Sequence, residues 1–213
     1  MNKEDDDDDS GKHKGQSGIP SSTRPIVTKI LSELALVETG EHNILTFQEI
    51  EIMKEIRSRY CLDLLTKRNM AVILIPYVES TDEVMADIST VGRVAPDRYI
   101  ADGSLVIEGD APLLIGSGGS NFHNYIKDLR TQARQKGKEG LGIVLDISSL
   151  LLMDDIKKLL KFESEICPKN QPGLEYISLL CCYNGFLFDK VERIHREAIF
   201  NNHHRRLCGL ATS

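Results

Sequence analysis

Long apolar runs alternate with stretches of helical periodicity along most of this 213-residue chain. The longest runs are Met70–Tyr77, Leu141–Ser148 and Tyr176–Tyr183. Runs that are apolar throughout, unlike alternating ones, are typical of strands covered on both faces, as in parallel sheets. Between the last two runs, apolar residues recur at helical spacing, which predicts one right-handed strand–helix–strand unit; they are Leu152, Ile156, Leu159 and Leu160.

The remaining segments continue this alternation. Strands are predicted at His42–Phe47 and Ser104–Glu108, and helices are predicted to follow Phe47, Ser80 and Ser120. Arg24–Glu38 is compatible with a helix or a strand, and we favour a helix. The last predicted helix has an apolar face of Phe188, Val191, His195 and Ala198, and His203–Arg206 is predicted to be a solvated helix end. The expected fold is α/β, with a mostly parallel sheet and helices on both faces.

Charge and composition narrow the classes of function. The net charge is −6, and half of it lies in residues 1–23, where the Asp5–Asp9 run predicts a disordered acidic tail. No excess of basic charge indicates direct nucleic-acid binding, and no apolar run is long enough for a membrane span. The polar, acidic start is unlike a secretory signal, so we expect a cytoplasmic protein.

Cysteine spacing gives no sign of a metal site. The five cysteines include no Cys-x-x-Cys pair and no histidine at zinc-finger spacing. Cys181 and Cys182 are adjacent in a predicted strand, so they should point to opposite faces and act as small core residues. We therefore expect no structural metal and no cofactor.

Candidate site residues follow the predicted strands. In parallel α/β sheets, ligands bind beyond the carboxyl ends of the strands. Asp146 and Tyr183 end two predicted strands, and Glu79 lies just past another, where no local structure requires it. A pocket is expected between Phe47, Tyr77, Asp146 and Tyr183.

The sequence lacks a phosphate-binding loop. No Gly-x4-Gly-Lys-Ser/Thr occurs, and the first strand is followed by Gln48-Glu-Ile-Glu-Ile52, whose acidic side chains would repel phosphate. The glycine- and serine-rich segment Gly116–Ser120 precedes a helix, but we interpret it as a flexible connector. Asp146 resembles the acidic residue that holds Mg²⁺ in nucleotide hydrolases, or it caps the next helix together with Ser148 and Ser149.

Residues 42–210 resemble the MEDS domain, the methanogen/methylotroph DcmR sensory domain. The matching features are His42 before a short strand, Phe162-Glu163 on a helix, the strand end Leu180–Asn184, and a later histidine, His203. This chain departs from the family pattern in one respect: the family typically has a proline after that last histidine, and here no proline follows His203. The resemblance implies a relative of the RecA-type ATPases of the KaiC group that has lost its P-loop and senses small molecules. It adds His42 to the candidate ligand-binding residues.

The expected organisation is an acidic tail (1–23), a helical extension (24–41) and a MEDS-like α/β domain (42–213). The leading hypothesis is a non-catalytic sensory domain that binds a small molecule at the carboxyl edge of its sheet. One alternative is a degenerate KaiC-like nucleotide-binding protein using Asp146 and Glu79 around Mg²⁺. The other is a protein-interaction module that binds a partner protein or another copy of itself.

The acidic tail should be dispensable for folding. Deleting residues 1–23 removes −3 of net charge and almost no apolar surface, so the melting temperature should not change. Thermal unfolding of the full chain and of the chain starting at Arg24 checks this expectation. A decrease of several degrees would show that the tail packs on the domain.

Overall fold

The computed structural model describes residues 23–76, 79–109, 119–152, 155–167 and 173–209, with only the backbone at positions 119, 120 and 149. Tyr77 and the first part of Gly116–Ser120 lie outside these ranges. The described strands are β1 (His42–Phe47), β2 (Ala71–Ile75), β3 (Leu105–Ile107), β4 (Leu141–Asp146), β5 (Ile177–Asn184) and β6 (Arg205–Gly209). The described helices are α1 (Arg24–Ala35), α2 (Ile50–Thr66), α3 (Thr81–Gly92), α4 (Asp97–Ala101), α5 (Gly119–Gln135), α6 (Ser148–Leu152), α7 (Ile156–Ile166), α8 (Gly185–Phe188) and α9 (Arg193–Asn201).

The six strands form one sheet in the order β3-β2-β4-β5-β1-β6, and every neighbouring pair is parallel. In this register Ile44 of β1 is opposite Cys181 of β5, and Leu45 is opposite Leu207 of β6. The predicted parallel sheet is therefore confirmed. The strands β2, β4 and β5 are apolar over most of their length because both of their faces are covered.

Helices cover both faces of the sheet and make three layers. Leu45 and Phe47 of β1 belong to the core beneath α1, α2 and α3, and we call this side the α2 face. Ile44 belongs to the other core, with Phe122 of α5 and Phe162 of α7, and we call that side the α7 face. Successive residues of a strand point to opposite faces, so β1, β2, β4 and β5 each contribute to both cores.

Local sequence explains several helix ends. A capping box begins α3: the Ser80 backbone N–H donates to Glu83 Oε2 at 2.8 Å, and the Glu83 backbone N–H donates to Ser80 Oγ at 3.3 Å. The prediction of a helix over Arg24–Glu38 is confirmed by α1.

Among the described helices, none combines the length and the apolar character needed to cross a membrane.

The predicted helix end at His203–Arg206 is wrong, because Arg205–Gly209 is the strand β6, paired with β1. Only Leu207 in its centre and the terminal Gly209 are buried, so the apolar pattern was too short to indicate a strand. Arg205 donates from Nε to Glu41 Oε2 at 2.9 Å, which fixes this strand against the segment before β1.

Two predicted helices are each divided in two. The helix of the central unit consists of α6 and α7, and α7 begins where Asp155 Oδ1 accepts from Lys158 N–H at 3.0 Å. The last predicted helix consists of α8 and α9. Its predicted apolar face is wrong in α9, where Ile199 is buried, Ala198 is exposed and His195 is half-buried. The short helix α4 was not predicted.

Leu207→Ala should destabilise the domain if β6 completes the sheet. Leu207 is 2% exposed and packs in the α2-face core, so its truncation should cost about 2 to 5 kcal/mol in the free energy of unfolding. The exposed neighbour Cys208→Ala is the matched control, and it should cost far less. Urea denaturation measures both. Equal costs would contradict the pairing of β6 with β1.

Candidate functional site

Two groups of buried and half-buried polar side chains lie on opposite faces of the sheet. The first, which we call the charged cluster, lies on the α2 face near the carboxyl ends of β2 and β4; it comprises Lys54, Arg57, Glu79, Asp87 and Asp146. The second, which we call the buried cluster, lies on the α7 face; it comprises His42, Glu163, Cys181 and His203.

Arg57 is the centre of the charged cluster. It lies on the inward face of α2, and only 4% of its side chain is exposed. Its Nη2 donates to Glu79 Oε1 at 3.1 Å and to Asp87 Oδ2 at 3.0 Å, and its Nη1 donates to Glu79 Oε2. Lys54 Nζ lies 3.5 Å from Glu79 Oε1. Arg57 and Lys54 thus both bind the carboxylate of Glu79, a residue that no local structure required in the sequence.

The surroundings shift the pKa values of the two candidate carboxyl groups in opposite directions. Burial raises the pKa of Glu79, but the hydrogen bonds and charge of Arg57, with Lys54, outweigh it, so the net pKa is below the ordinary value. Burial raises the pKa of Asp146, although hydrogen bonding at Ser148 opposes this. Glu79 is therefore negatively charged at neutral pH.

Asp146 also shapes the turn after β4. Its Oδ1 accepts from the backbone N–H of Ser148 at 2.9 Å, and Ser148 Oγ accepts from the backbone N–H of Asn184 at 2.8 Å. This arrangement resembles the capping role considered for Asp146 and Ser148. It joins the carboxyl ends of β4 and β5, while the side chain of Ser149 is not described.

The link between β1 and α2 has only two residues, Gln48 and Glu49. Glu49 is at the N-cap of α2 in an extended conformation, and Glu51 lies in the first turn. A P-loop needs a longer glycine-rich segment here, whose backbone N–H groups surround the phosphates. The geometry of this link, with its acidic side chains, does not provide such a phosphate site.

The buried cluster draws its four side chains from separate parts of the chain. His42 begins β1, Glu163 lies on α7, Cys181 lies in β5, and His203 lies two residues before the start of β6. All four residues are at most 6% exposed, and one potential ligand atom from each lies within 4.8 Å of all the others.

The distances between polar atoms inside the buried cluster are short. His42 Nε2 lies 3.1 Å from Cys181 Sγ and 3.5 Å from Glu163 Oε2. His203 Nε2 lies 3.5 Å from the same Glu163 oxygen, and the two imidazole ring centroids are 4.0 Å apart. Nitrogen, sulfur and oxygen atoms therefore surround one small volume.

Two outer contacts orient the cluster. Tyr183 OH donates to Glu163 Oε1, which leaves Oε2 directed toward the histidines. His203 Nδ1 lies 2.7 Å from the carbonyl oxygen of Ile199, which can only accept. Nδ1 therefore carries the proton of the neutral ring, and Nε2 presents its lone pair to the cluster.

Burial also controls the charges of this cluster. Burial raises the pKa of Glu163 to about 8, although the hydrogen bond from Tyr183 lowers it. Burial and the nearby Glu163 carboxylate raise the pKa of the Cys181 thiol. A carboxylate and a thiolate in this position need positive charge close by.

The predicted ligand-binding residues are not brought to one place in the described part of the chain. Glu79 and Asp146 belong to the charged cluster on the α2 face, and Phe47 is buried in the core of that face. His42 and Tyr183 lie on the α7 face, where Glu163 contacts both. Tyr183 and Asp146 are on opposite faces and Tyr77 is not described, so the pocket expected between them stays a prediction.

Sequence reasoning missed Arg57, Glu163, Cys181 and His203 as site residues. Glu163 carried a detectable signal, because it lies between Leu159 and Ile166 on the buried stripe of α7, a position where an apolar residue is expected. The expectation that Cys181 is only a core residue is incomplete, since its Sγ contacts His42.

Two grooves among the described residues lie elsewhere. One of about 1250 Å³ runs between α1, α2 and α3, with Leu31, Lys54 and Asp87 in its lining. A second of about 370 Å³ lies next to it and shares Leu31. Both open on the outside of the helices of the α2 face.

No protein-family model and no curated protein matches this sequence. Among solved structures, the chain is similar to a KaiC-like protein from the hyperthermophilic archaeon Pyrococcus horikoshii OT3, with a TM-score of 0.52 and 15% identity over 76% of this chain and 68% of that one. It is also similar to an uncharacterized Pyrococcus horikoshii protein in complex with an unknown peptide, with a TM-score of 0.62 and 11% identity over 85% of this chain and 82% of that one.

These similarities, at such low identity, concern the fold alone. Together with the all-parallel six-stranded sheet, they define a three-layer RecA-like α/β fold, as predicted. The finer resemblance to the MEDS domain stays a prediction.

Glu79→Gln should destabilise the domain far more than loss of an exposed ion pair. It leaves the buried Arg57 guanidinium without its main carboxylate, which should cost about 3 kcal/mol in the free energy of unfolding. Glu55→Gln removes the partner of the half-exposed Arg59 on the same helix and should cost less than about 1 kcal/mol. Chemical denaturation compares the two variants. Similar costs would show that the charged cluster contributes little.

Proposed function

We propose that this chain is a non-catalytic, RecA-like sensory domain that binds a small molecule near the carboxyl ends of β2 and β4. The observation that carries this proposal is the charged cluster itself. Arg57, Glu79 and Asp146 lie at the edge of the sheet where α/β proteins bind ligands. The resemblance to a sensory family, stated from the sequence, points in the same direction.

The charged cluster suits a small polar ligand. Arg57 is held in position by two carboxylates, and Asp146 is fixed by the turn at Ser148, so these groups need little reordering on binding. Burial raises the pKa of Asp146 above its ordinary value, and its carboxylate can accept hydrogen bonds from a ligand. These groups would fix the orientation of a ligand.

Hydrolysis of a nucleotide is the less favoured function. The link Gln48-Glu49 is short and acidic, and Glu79 is already paired with Arg57 and Lys54 instead of being available for Mg²⁺. ATP or GTP turnover with Mg²⁺ that disappears in Asp146→Ala would overturn the non-catalytic proposal.

A thermal-shift screen tests ligand binding directly. The probes are ATP, ADP and GTP with Mg²⁺, and sets of alcohols, amines, carboxylates and halogenated hydrocarbons. A ligand at about 100 times its Kd adds about 2.7 kcal/mol, which should raise the Tm by about 5 to 11 °C. We expect a shift from at least one organic probe, and a broad screen without any shift would count against the proposal.

Asp146→Asn locates the binding site for whichever probe gives a shift. The amide oxygen can still accept from Ser148 N–H, so the turn is retained while the carboxyl group is lost. We expect the affinity to fall at least about tenfold, from a lost charged or polar contact. Asp189→Asn, on an exposed residue paired with Arg196, is the control and should leave the affinity unchanged. Equal affinities for all three proteins would place the ligand elsewhere.

A protein-interaction module is the second candidate, and the grooves between α1, α2 and α3 favour it. The similar Pyrococcus horikoshii protein was solved with an unknown peptide, which is compatible with a peptide-binding role for this fold. Light scattering distinguishes the two candidates. Concentration-dependent association that Leu31→Asp abolishes, and that Ile194→Asp on exposed α9 retains, would favour the interaction module.

A further inference from the structure

We propose that the buried cluster binds a late first-row transition-metal ion, best fitted by Zn²⁺, through His42, Glu163, Cys181 and His203. This site is separate from the charged cluster and does not depend on the function proposed above. It also revises the expectation, drawn from cysteine spacing, that the chain has no metal site.

The spacing of the donor atoms fits one small cation. Metal–ligand distances of about 2.0 to 2.3 Å place neighbouring ligands of a tetrahedral Zn²⁺ about 3.3 to 3.7 Å apart. The separation of Glu163 Oε2 from each histidine Nε2 is 3.5 Å, and that of His42 Nε2 from Cys181 Sγ is 3.1 Å. All four ligand atoms lie within 4.8 Å of one another, so small side-chain movements complete a tetrahedron.

The donor types select a class of metal. Two imidazoles and a thiolate are soft or borderline ligands, which favour Zn²⁺, Cu or Fe²⁺ over Mg²⁺ or Ca²⁺. One thiolate and one carboxylate also balance the charge of a divalent ion, so the occupied site is neutral. This matters because all four residues are buried, and an unbalanced charge there is costly.

The outer contacts are those of a metal site. The proton on His203 Nδ1 is held by the Ile199 carbonyl at 2.7 Å, which leaves Nε2 as the ligand atom. Tyr183 donates to the other oxygen of Glu163 and orients the carboxylate. Metal-binding histidines and carboxylates commonly have such partners, which fix the tautomer and the direction of the ligand atom.

Four protein ligands make a closed site, as in structural zinc centres. The ligands come from β1, β5, α7 and the residue pair before β6, which are up to 161 positions apart in sequence. Such an ion would therefore link β1, β5, helix α7 and the segment that precedes β6. Its removal should lower the Tm, because metal binding contributes to folding when the unfolded chain holds no site.

The test begins with the full-length chain, purified without chelator. Elemental analysis should give about one transition-metal ion per chain. After removal of metal and addition of Co²⁺, we expect visible d–d absorption of a tetrahedral site and a near-ultraviolet thiolate-to-cobalt band. The Asp5–Asp9 run has no sulfur, so metal bound there cannot produce that band.

Adjacent cysteines provide a matched pair of variants. Cys181→Ser should lose the thiolate band and bind Zn²⁺ at least about tenfold more weakly in competition with a chelator. Cys182→Ser changes an equally buried cysteine on the α2 face and should keep both properties. Glu163→Gln, whose amide oxygen can still accept from Tyr183, should also weaken Zn²⁺ binding at least about tenfold.

The proposal is overturned if the wild-type chain binds no metal and Co²⁺ gives no thiolate band. It is also overturned if Cys181→Ser keeps the band, or if Cys182→Ser loses it while its circular dichroism remains native. Should a variant not fold, the wild-type stoichiometry and Co²⁺ spectrum still decide. If the four side chains only form hydrogen bonds with one another, the wild-type chain should contain no bound metal and should give no thiolate-to-cobalt band.

Discussion

The position of β1 between β5 and β6 is the constraint on which the rest of the structure depends. This pairing places His42 opposite Leu179, so that its side chain reaches Cys181 two residues further along β5. It also brings the chain before β6 close to the start of β1, and α2 begins three residues after β1 ends. Because the strands are parallel, both faces must be covered, and each strand has to fit two cores. The two polar clusters are built within these cores, one on each side.

Adjacent residues of β5 separate the two clusters. Cys181 faces the histidines and Glu163 on the α7 face, whereas Cys182 faces the charged cluster, where Asp146 and Arg57 influence its pKa. Burial raises the pKa of both thiols. The α2 face has the polar groups at the ligand-binding edge of the sheet, and the α7 face has donors suited to a metal. Sensing and metal binding are thus proposals about different parts of one framework, and either can fail without the other.

The architecture was predictable because most strands are long apolar runs and most helices show apolar residues at helical spacing, and both patterns are visible in the sequence. The strand β6 was not, since only Leu207 and Gly209 are buried in it and its partner lies far away in sequence. The charged cluster was partly predicted: Glu79 and Asp146 were found, but Arg57 lies on the mostly apolar buried face of α2. The four residues of the buried cluster are far apart in sequence and meet only in the folded chain, so spacing rules for metal motifs do not detect them.

X-ray absorption at the metal edge of the purified, Zn²⁺-loaded chain tests most directly whether this fold holds a closed metal site. We predict a first shell of one sulfur at about 2.3 Å and three nitrogen or oxygen atoms at about 2.0 to 2.1 Å, with imidazole scattering from two histidines. A shell of oxygen and nitrogen alone, or a six-coordinate one, would contradict binding at Cys181 and its neighbours.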